Sequence, residues 1–332
     1  MRVLVTGATG FVGAHVAREL DARGHAVRAF VRDPARAEAV KAHLTELVRG
    51  DLADPETLAV ACGGVDAVVH VAGLTKAARD DDFTRVNVHG AAMIAGAFRQ
   101  ASRGRGRFVL VSSLAAAGPS PPERARREDE APAPVSLYGA SKLAGERAVA
   151  MTLAGSEVEL AVVRPPIVYG EGDRDVLLAF RQVAGGWFLA VGGRAALAKR
   201  YSIVHVADLA KGIALALEAP RAAGATCFLP GPDDPAFDEL LAAIERALGK
   251  RARRVPVPYA LAAPGAWLAH ASARLRGRAS FASVDKLREA RASSWRCDGA
   301  LARERLGYAP SIALDEGIAR TAAWYRAQGW LR

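Results

Sequence analysis

The strongest constraint on the fold is a series of six short apolar runs, separated by stretches of helical character, in the first half of the chain. The runs are continuously apolar rather than alternating, which is typical of strands buried on both faces of a parallel sheet. Strands separated by helices predict right-handed βαβ units and therefore the α/β class. The predicted strands are 3–5, 26–31, 46–48, 67–71, 108–111 and 158–163, and the clearest helices are 11–23, 82–103 and 137–153.

A glycine-rich turn, TGATGFVG, follows the first predicted strand at 6–13. Gly7 would allow a tight turn, Gly10 would let a pyrophosphate approach the backbone, and Gly13 would let helix and strand pack closely. The helix would offer its N–H groups and the positive end of its dipole to the phosphates. The position between strand and helix, more than the spacing, predicts a Rossmann-type doubly wound parallel sheet that binds a dinucleotide. The predicted contacts in the turn are Gly7, Thr9, Gly10, Phe11, Val12 and Gly13.

The second half of the chain loses the alternation of strands and helices, and prolines and glycines interrupt it. We expect a Rossmann domain and a smaller, mostly helical cap subdomain that binds the substrate. The predicted Rossmann domain is 1–170 with 201–228 returning to it, and the predicted cap is 171–200 with 229–332. Segment 255–278 is interpreted as a cap helix on the core or as one wall of a lipophilic pocket. The prolines of 118–134 predict an exposed excursion.

Composition excludes several classes of protein. The chain has 332 residues and a formal net charge of +10, but its basic residues are scattered, and no zinc-finger or RNA-binding signature is present, so we expect no nucleic-acid partner. No apolar run approaches the roughly 18 to 20 residues that span a bilayer. Three cysteines without a CxxC pair, and a start without a signal peptide, predict a cytoplasmic protein. The dispersed histidines predict no metal site.

Motifs along the whole chain resemble the extended short-chain dehydrogenases/reductases of the NAD-dependent epimerase/dehydratase superfamily. The tail, with WRCDGALARERLGYAP and LDEGIARTAAWY, resembles that family too, and VRDP at 31–34 resembles its dihydroflavonol-reductase and 3-beta-hydroxysteroid-dehydrogenase-like branch. The other motifs are TGATGFVG, Asp51-Leu52, HVAG at 70–73, VNV at 86–88, SS at 112–113, YGASK at 138–142 and RPPIVYGEGD at 164–173.

The resemblance implies a nicotinamide cofactor, and the residues after the second strand bear on which one. Arg32 comes directly after the strand, and a guanidinium suits the 2′-phosphate of NADP(H). Asp33 would instead accept hydrogen bonds from the ribose of NAD(H), or it would cap a helix that begins at Pro34. We predict NADP(H), with NAD(H) as the alternative.

Further cofactor contacts are implied by the family motifs. Asp51 would bind the adenine amine and Leu52 would pack on its ring, although a plain turn is the alternative for Asp51. Asn87 matches an Asn that supports the active-site backbone, and a purely structural role is equally open for it. The remaining implied contacts are Val71, Ala72, Gly73, Ser112, Tyr138, Lys142, Pro165, Ile167 and Val168.

The predicted catalytic group is Ser113, Tyr138 and Lys142. Tyr138 and Lys142 are four residues apart in a helix, so both project from one face. A free phenol has a pKa near 10, and a neighbouring ammonium would lower it, which lets Tyr138 act as general acid in reduction or base in oxidation. Lys142 would also bind the nicotinamide ribose, and Ser113 would bind the substrate oxygen. His70 is interpreted as structural.

These residues predict an oxidoreductase that moves a hydride between nicotinamide and the carbonyl or secondary alcohol of a small, lipophilic substrate. A nucleotide-sugar 4-epimerase with tightly held NAD is the alternative, and a non-catalytic cofactor sensor is a third. A dehydratase is disfavoured because Ser112-Ser113-Leu114 lacks an Asp-Glu pair. The resemblance implies a homodimer in which helices 82–103 and 137–153 pair across the interface through small residues, with ordinary packing on the sheet as the alternative. The small residues are Ala91, Ala92, Ala95 and Ala97.

Overall fold

The computed structural model describes residues 1–265 and 284–331, and its centre is a seven-stranded parallel sheet. The strands are β1 (Arg2–Thr6), β2 (Ala26–Val31), β3 (Glu46–Arg49), β4 (Ala67–His70), β5 (Arg105–Val111), β6 (Glu157–Arg164), β7 (Ile167–Tyr169), β8 (Trp187–Val191), β9 (Ile203–His205), β10 (Thr226–Phe228) and β11 (Arg253–Val257). Their order in the main sheet is β3-β2-β1-β4-β5-β6-β10. The predicted doubly wound fold is confirmed, and the strand order reverses between β1 and β4, where such sheets bind their ligands.

Helices cover both faces of this sheet, which explains why its strands are continuously apolar. Val3 and Val5 of β1 face a core built with the first and ninth helices, whereas Leu4 faces the opposite core. The helices are α1 (Phe11–Ala22), α2 (Pro55–Cys62), α3 (Asp80–Phe83), α4 (Ala91–Ala101), α5 (Leu114–Ala117), α6 (Leu137–Leu153), α7 (Leu177–Ala184), α8 (Gly193–Leu197), α9 (Val206–Glu218), α10 (Phe237–Leu248), α11 (Val284–Arg291), α12 (Ala300–Leu306) and α13 (Leu314–Ala327). In the described chain, none is long and apolar enough to span a bilayer.

The predicted helix 82–103 consists of α3, a π-helical segment Thr84–Gly90 and α4. Ala91 and Ala95 on α4 are buried against the sheet with Ile94 and Phe98. Their small size therefore serves the packing of α4 on the sheet, which was the alternative to a contact between subunits. The homodimer stays a prediction.

A third core lies beyond the main sheet and is formed largely by residues after position 168. Phe180 and Tyr325 meet edge to face in it, with ring centroids 5.1 Å apart. Two small parallel pairs, β7 with β9 and β8 with β11, border this region. The domain boundaries stay a prediction. Of segment 255–278, the first three residues belong to β11, 259–265 is helical, and 266–278 lies outside the described residues.

The prediction that 118–134 is an exposed excursion is wrong for part of the segment. Ser120 and Arg126 are buried, and the backbone of Arg126 pairs with the chain at Cys297. The Arg126 guanidinium donates hydrogen bonds to the carbonyls of Pro119 and Ala131. The segment near Cys297, about 170 residues further along the chain, therefore packs against this part of 118–134. Sequence periodicity gives no information about such a contact.

Candidate active site

The turn after β1 requires glycine at two of its three positions. Gly7 has φ +74°, and a Cβ there would lie 2.8 Å from the Ala72 nitrogen. A Cβ on Gly13 would lie 2.1 Å from the Gly7 carbonyl oxygen. A Cβ on Gly10 would approach only that same oxygen, at 3.2 Å, among the residues the structure describes. The space in front of Gly10 is therefore open to a ligand.

The N-terminus of α1 behind this turn is suited to an anion. No side chain caps it, and its first turn holds no acidic residue. Its N–H groups and dipole can therefore attract phosphate oxygens without competition from the protein's own carboxylates. An open cradle at a helix N-terminus, beside the point where the strand order reverses, fits the diphosphate of a dinucleotide.

The next two predicted contact regions lie at the ends of β2 and β3. Arg32 is exposed directly after β2. The Asp33 carboxylate accepts a hydrogen bond from the Ala35 backbone at 3.1 Å and caps the 3₁₀ helix Pro34–His43. The capping interpretation of Asp33 is confirmed, and Asp33 and Arg32 are both exposed there. Asp51 accepts a hydrogen bond from Ala53 N at 2.9 Å, as a turn aspartate does.

His70 ends β4 and is buried beside the glycine turn. Its Nδ1 lies 2.8 Å from the Thr6 hydroxyl, which also accepts a hydrogen bond from Ala72 N at 3.2 Å. Burial lowers the pKa of His70 to about 3, so the ring is neutral at pH 7. These contacts hold β1 to the loop after β4 and support the structural interpretation of His70.

The loop after β4 is held in place by Asn87 from the π-helical segment. The Asn87 amide donates to Leu74 O at 3.0 Å and accepts from Leu74 N at 2.8 Å. It also donates to the Ser141 hydroxyl at 2.9 Å, which in turn donates to Tyr138 O at 2.7 Å. Asn87 thus links the loop after β4 to the helix that carries the predicted acid. Within that loop Gly73 is exposed, and Val71 and Ala72 are half-buried.

Tyr138 and Lys142 lie on α6, which begins at Leu137 as predicted. The hydroxyl of Ser136 caps α6 by accepting from Gly139 N at 3.0 Å. Tyr138 is half-buried, and the Ser113 side chain is close enough to interact with its phenol. Ser113 also accepts from Ala115 N at 3.1 Å, so its position at the start of α5 is fixed. The structure therefore brings together the predicted acid and the predicted substrate-binding hydroxyl.

The expected lowering of the Tyr138 pKa by Lys142 is not observed. Burial raises the pKa of Tyr138, and the groups that oppose this rise are Ser113 and Lys286. The reason is the position of Lys142, whose ammonium donates to Val111 O at 2.7 Å at the end of β5. Burial lowers the pKa of Lys142 itself to about 8. A Cβ on Gly73 would lie 3.5 Å from the Lys142 Nζ, so the ammonium borders the loop after β4.

Ser112 is engaged in a buried ion-pair network under the site. Its hydroxyl donates to Glu146, which also accepts two hydrogen bonds from Arg164, at 2.9 and 2.6 Å. If Ser112 contacts a cofactor, we therefore expect its backbone atoms to make the contact. Pro165 O accepts from Leu114 N at 2.8 Å, which ties the end of β6 to α5. Of the other predicted contacts, Ile167 is exposed, and Val168, Leu52, Thr9, Phe11 and Val12 are half-buried.

Two candidate functional residues, Asp285 and Lys286, were not predicted from the sequence, and both lie on α11. The Asp285 carboxylate accepts hydrogen bonds from Leu137 N at 2.7 Å and Tyr138 N at 3.2 Å. The Lys286 ammonium lies 5.6 Å from the centroid of the Tyr138 ring. They are 147 and 148 residues from Tyr138 in the chain, and no motif marks them. Within the described ranges no group of His, Cys, Asp and Glu could hold a metal ion.

Comparison with known proteins gives one family and several relatives over nearly the full chain. The model of the NAD dependent epimerase/dehydratase family matches residues 3–227. A ceramide reductase from Caulobacter vibrioides is 34% identical, over 99% of this chain and 96% of that protein. A 2-alkyl-3-oxoalkanoate reductase from Stenotrophomonas maltophilia is 31% identical, over 97% and 99% respectively.

A solved structure has the same architecture. DesIV, a dTDP-glucose 4,6-dehydratase from Streptomyces venezuelae with NAD and TYD bound, superposes with a TM-score of 0.80. It is 26% identical, and the match covers 100% of this chain and 99% of that chain.

Proposed function

The chain belongs to the NAD dependent epimerase/dehydratase family, and from that premise we propose that it is a nicotinamide-dependent carbonyl reductase. The observation that carries the proposal is the closeness of the Tyr138 phenol to the Ser113 side chain, which follows the carboxyl end of β5. It pairs a proton donor with a second hydroxyl at the carboxyl edge of the sheet, where a carbonyl oxygen could accept from both.

The residues have separate tasks in this reaction. A nicotinamide cofactor held in this site would supply the hydride for the carbonyl carbon. Tyr138 donates its proton to the carbonyl oxygen, Ser113 orients that oxygen, and the product is a secondary alcohol. Burial raises the pKa of Tyr138, so the phenol is protonated at neutral pH, the form that donates a proton in reduction. Lys142 binds the ribose that adjoins the nicotinamide, from its position beside Gly73.

NADPH is the proposed reductant. Arg32 is exposed at the end of β2, and one carboxylate oxygen of the neighbouring Asp33 caps the following helix. A guanidinium can bind a 2′-phosphate with two parallel hydrogen bonds, whereas the ribose hydroxyls of NADH require an acceptor. We also propose the predicted homodimer as the assembly.

The proposed substrate is a ketone that carries an alkyl chain. Two relatives that match nearly the whole chain are named for reductions of a ceramide and of a 2-alkyl-3-oxoalkanoate. Both names describe aliphatic chains. Tyr138 packs against a buried apolar cluster that includes Leu114, Phe228 and Trp295.

The test is consumption of NADPH, followed by its absorbance, with 3-oxo acids and amides of increasing alkyl length. Matched compounds in which the ketone is already an alcohol serve as the control. We expect NADPH loss equal to alcohol formed, with kcat/KM rising with chain length. Interconversion of UDP-glucose and UDP-galactose without net NADPH loss would instead support the epimerase and contradict the reductase. Binding of NADPH without turnover of any compound would contradict both enzymes.

A further inference from the structure

Helix α11, which lies outside the main sheet, brings a carboxylate and an ammonium into contact with Tyr138, the predicted general acid. Asp285 accepts from the backbone N–H of both Leu137 and Tyr138 at the start of α6. The next residue, Lys286, brings its Nζ to 5.6 Å from the centroid of the Tyr138 ring. Two consecutive residues thus contact the backbone and the ring of the same tyrosine.

We propose that Asp285 and Lys286 are positioning residues for proton transfer, with Asp285 anchoring α11 to α6 and Lys286 favouring the ionised form of Tyr138. The proposal rests on the proposed function, in which Tyr138 gives up its proton. A cation near a phenol attracts the phenolate more strongly than the neutral ring. Its attraction therefore grows as the proton leaves, which lowers the barrier to the transfer.

The charges around both groups support this assignment. The groups that face Tyr138 are Ser113, Lys286, Asp285 and Glu289, with Lys142 on its own helix. Lys286 forms an ion pair with Glu289 at 2.7 Å. Burial alone would lower the pKa of Lys286, but Glu289, Tyr138 and Asp175 offset this and the pKa is raised. Lys286 therefore stays an ammonium throughout the neutral range.

The anchor at Asp285 explains how a residue so far along the chain reaches this place. N–H groups in the first turn of a helix lack partners within the helix, and a carboxylate satisfies them with the favourable sign for the dipole. Ser136 already caps Gly139 N, so the two caps together bind three of these groups on α6. The contact thus fixes α11 relative to Tyr138 as well as ordering α6.

The first experiment measures the ionisation of Tyr138 directly and needs no substrate. The chain has six tyrosines, so protein labelled with ¹³C at tyrosine Cζ gives few signals, and Tyr138→Phe identifies the relevant one. In Lys286→Met we expect the apparent pKa of Tyr138 to rise by about 0.5 to 1 unit, with and without NADP⁺. Lys286→Arg should restore it. Lys286→Gln serves as the second neutral variant if Lys286→Met does not fold.

Lys41→Met is the matched control, because Lys41 also pairs with a glutamate three residues away, Glu38, but is 72% exposed. We expect it to leave the Tyr138 signal unchanged. Identical Tyr138 signals in wild type and the neutral Lys286 variants, at every pH that the fold tolerates, would overturn the role of Lys286. Because this readout is independent of turnover, it stays decisive even if no carbonyl compound is reduced and the proposed function fails.

The second experiment tests the anchor with a double-mutant cycle. Asp285→Ala should raise the apparent pKa of Tyr138 less than Lys286→Met does. In protein that already carries Asp285→Ala, adding Lys286→Met should change this pKa less than it does in wild type. Asp285→Asn keeps a hydrogen-bond acceptor, so in that background Lys286→Met should still cause most of its change in the Tyr138 pKa. At saturating NADPH, Lys286→Met should lower kcat about 5-fold to 10-fold without changing KM for NADPH. If the effects of the Asp285 and Lys286 substitutions on the apparent pKa of Tyr138 simply add, the anchoring by Asp285 is overturned.

Discussion

The buried ion pair beneath the site gives the sharpest prediction about stability. Glu146 on α6 accepts two hydrogen bonds from Arg164 of β6, and the two side chains are 9% and 6% exposed. Glu146→Ala would leave the guanidinium buried without its counter-charge, and the Ser112 hydroxyl without its acceptor. Breaking such a pair from one side costs about 3–5 kcal/mol of unfolding free energy. This is a large share of the roughly 5–15 kcal/mol that stabilises a typical domain.

The assay is urea unfolding followed by circular dichroism and by tryptophan fluorescence. Glu157→Ala is the matched control, because Glu157 pairs with Arg105 at the opposite end of the β5–β6 pair, where both side chains are about three-quarters exposed. That pair should contribute less than about 1 kcal/mol. The double variant Glu146→Leu with Arg164→Met removes both charges and should recover most of the loss. A Glu146→Ala protein within about 1 kcal/mol of wild type would refute the reasoning, and so would a double variant with no recovery.

Three further predictions concern the cofactor site. Arg32→Ala should weaken NADPH binding about tenfold or more and leave NADH binding nearly unchanged in calorimetric titration, and equal losses for both would contradict the role of Arg32. Gly10→Val should weaken NADPH binding at least tenfold with little loss of stability, whereas Gly13→Ala should destabilise the fold by at least about 2 kcal/mol because its Cβ meets the Gly7 carbonyl. Lys142→Met should stabilise the protein at pH 7 by about 1–3 kcal/mol in urea unfolding while abolishing turnover. The wild type, whose Lys142 pKa is lowered to about 8, should gain stability between pH 8 and 10.5, because the unfolded chain then binds more protons, and Lys142→Met should lose that gain.

Local sequence signals predicted the elements that carry the site. The position of the glycine turn at 6–13 between a strand and a helix predicts its role, and residue pattern predicts the helix at 137–153, because both signals are local in the sequence. The parallel sheet followed from continuously apolar runs, since helices on both faces bury every side chain of a central strand. A motif position predicts Ser113 in the catalytic group, and the structure places its side chain near the Tyr138 phenol.

What the sequence did not predict depends on contacts between distant segments. Arg126 belongs to a basic cluster, and its burial under the chain near Cys297 has no local signal. The spacing of Tyr138 and Lys142 placed both on one face, but the Val111 carbonyl that holds the ammonium belongs to β5. Asp285 and Lys286 reach α6 through the tertiary fold. Periodicity reports which face of a helix is apolar and gives no information about the segment that covers it.

The central claim is that the phenol of Tyr138 delivers the proton to the substrate, and Tyr138→Phe tests it most directly. Phenylalanine fills the same space and lacks only the hydroxyl that lies near the Ser113 side chain. At saturating NADPH and substrate, we predict that turnover of Tyr138→Phe falls about 10²-fold or more, while the Kd for NADPH stays within about twofold of wild type. Turnover comparable to wild type, with the cofactor bound normally, would contradict the account.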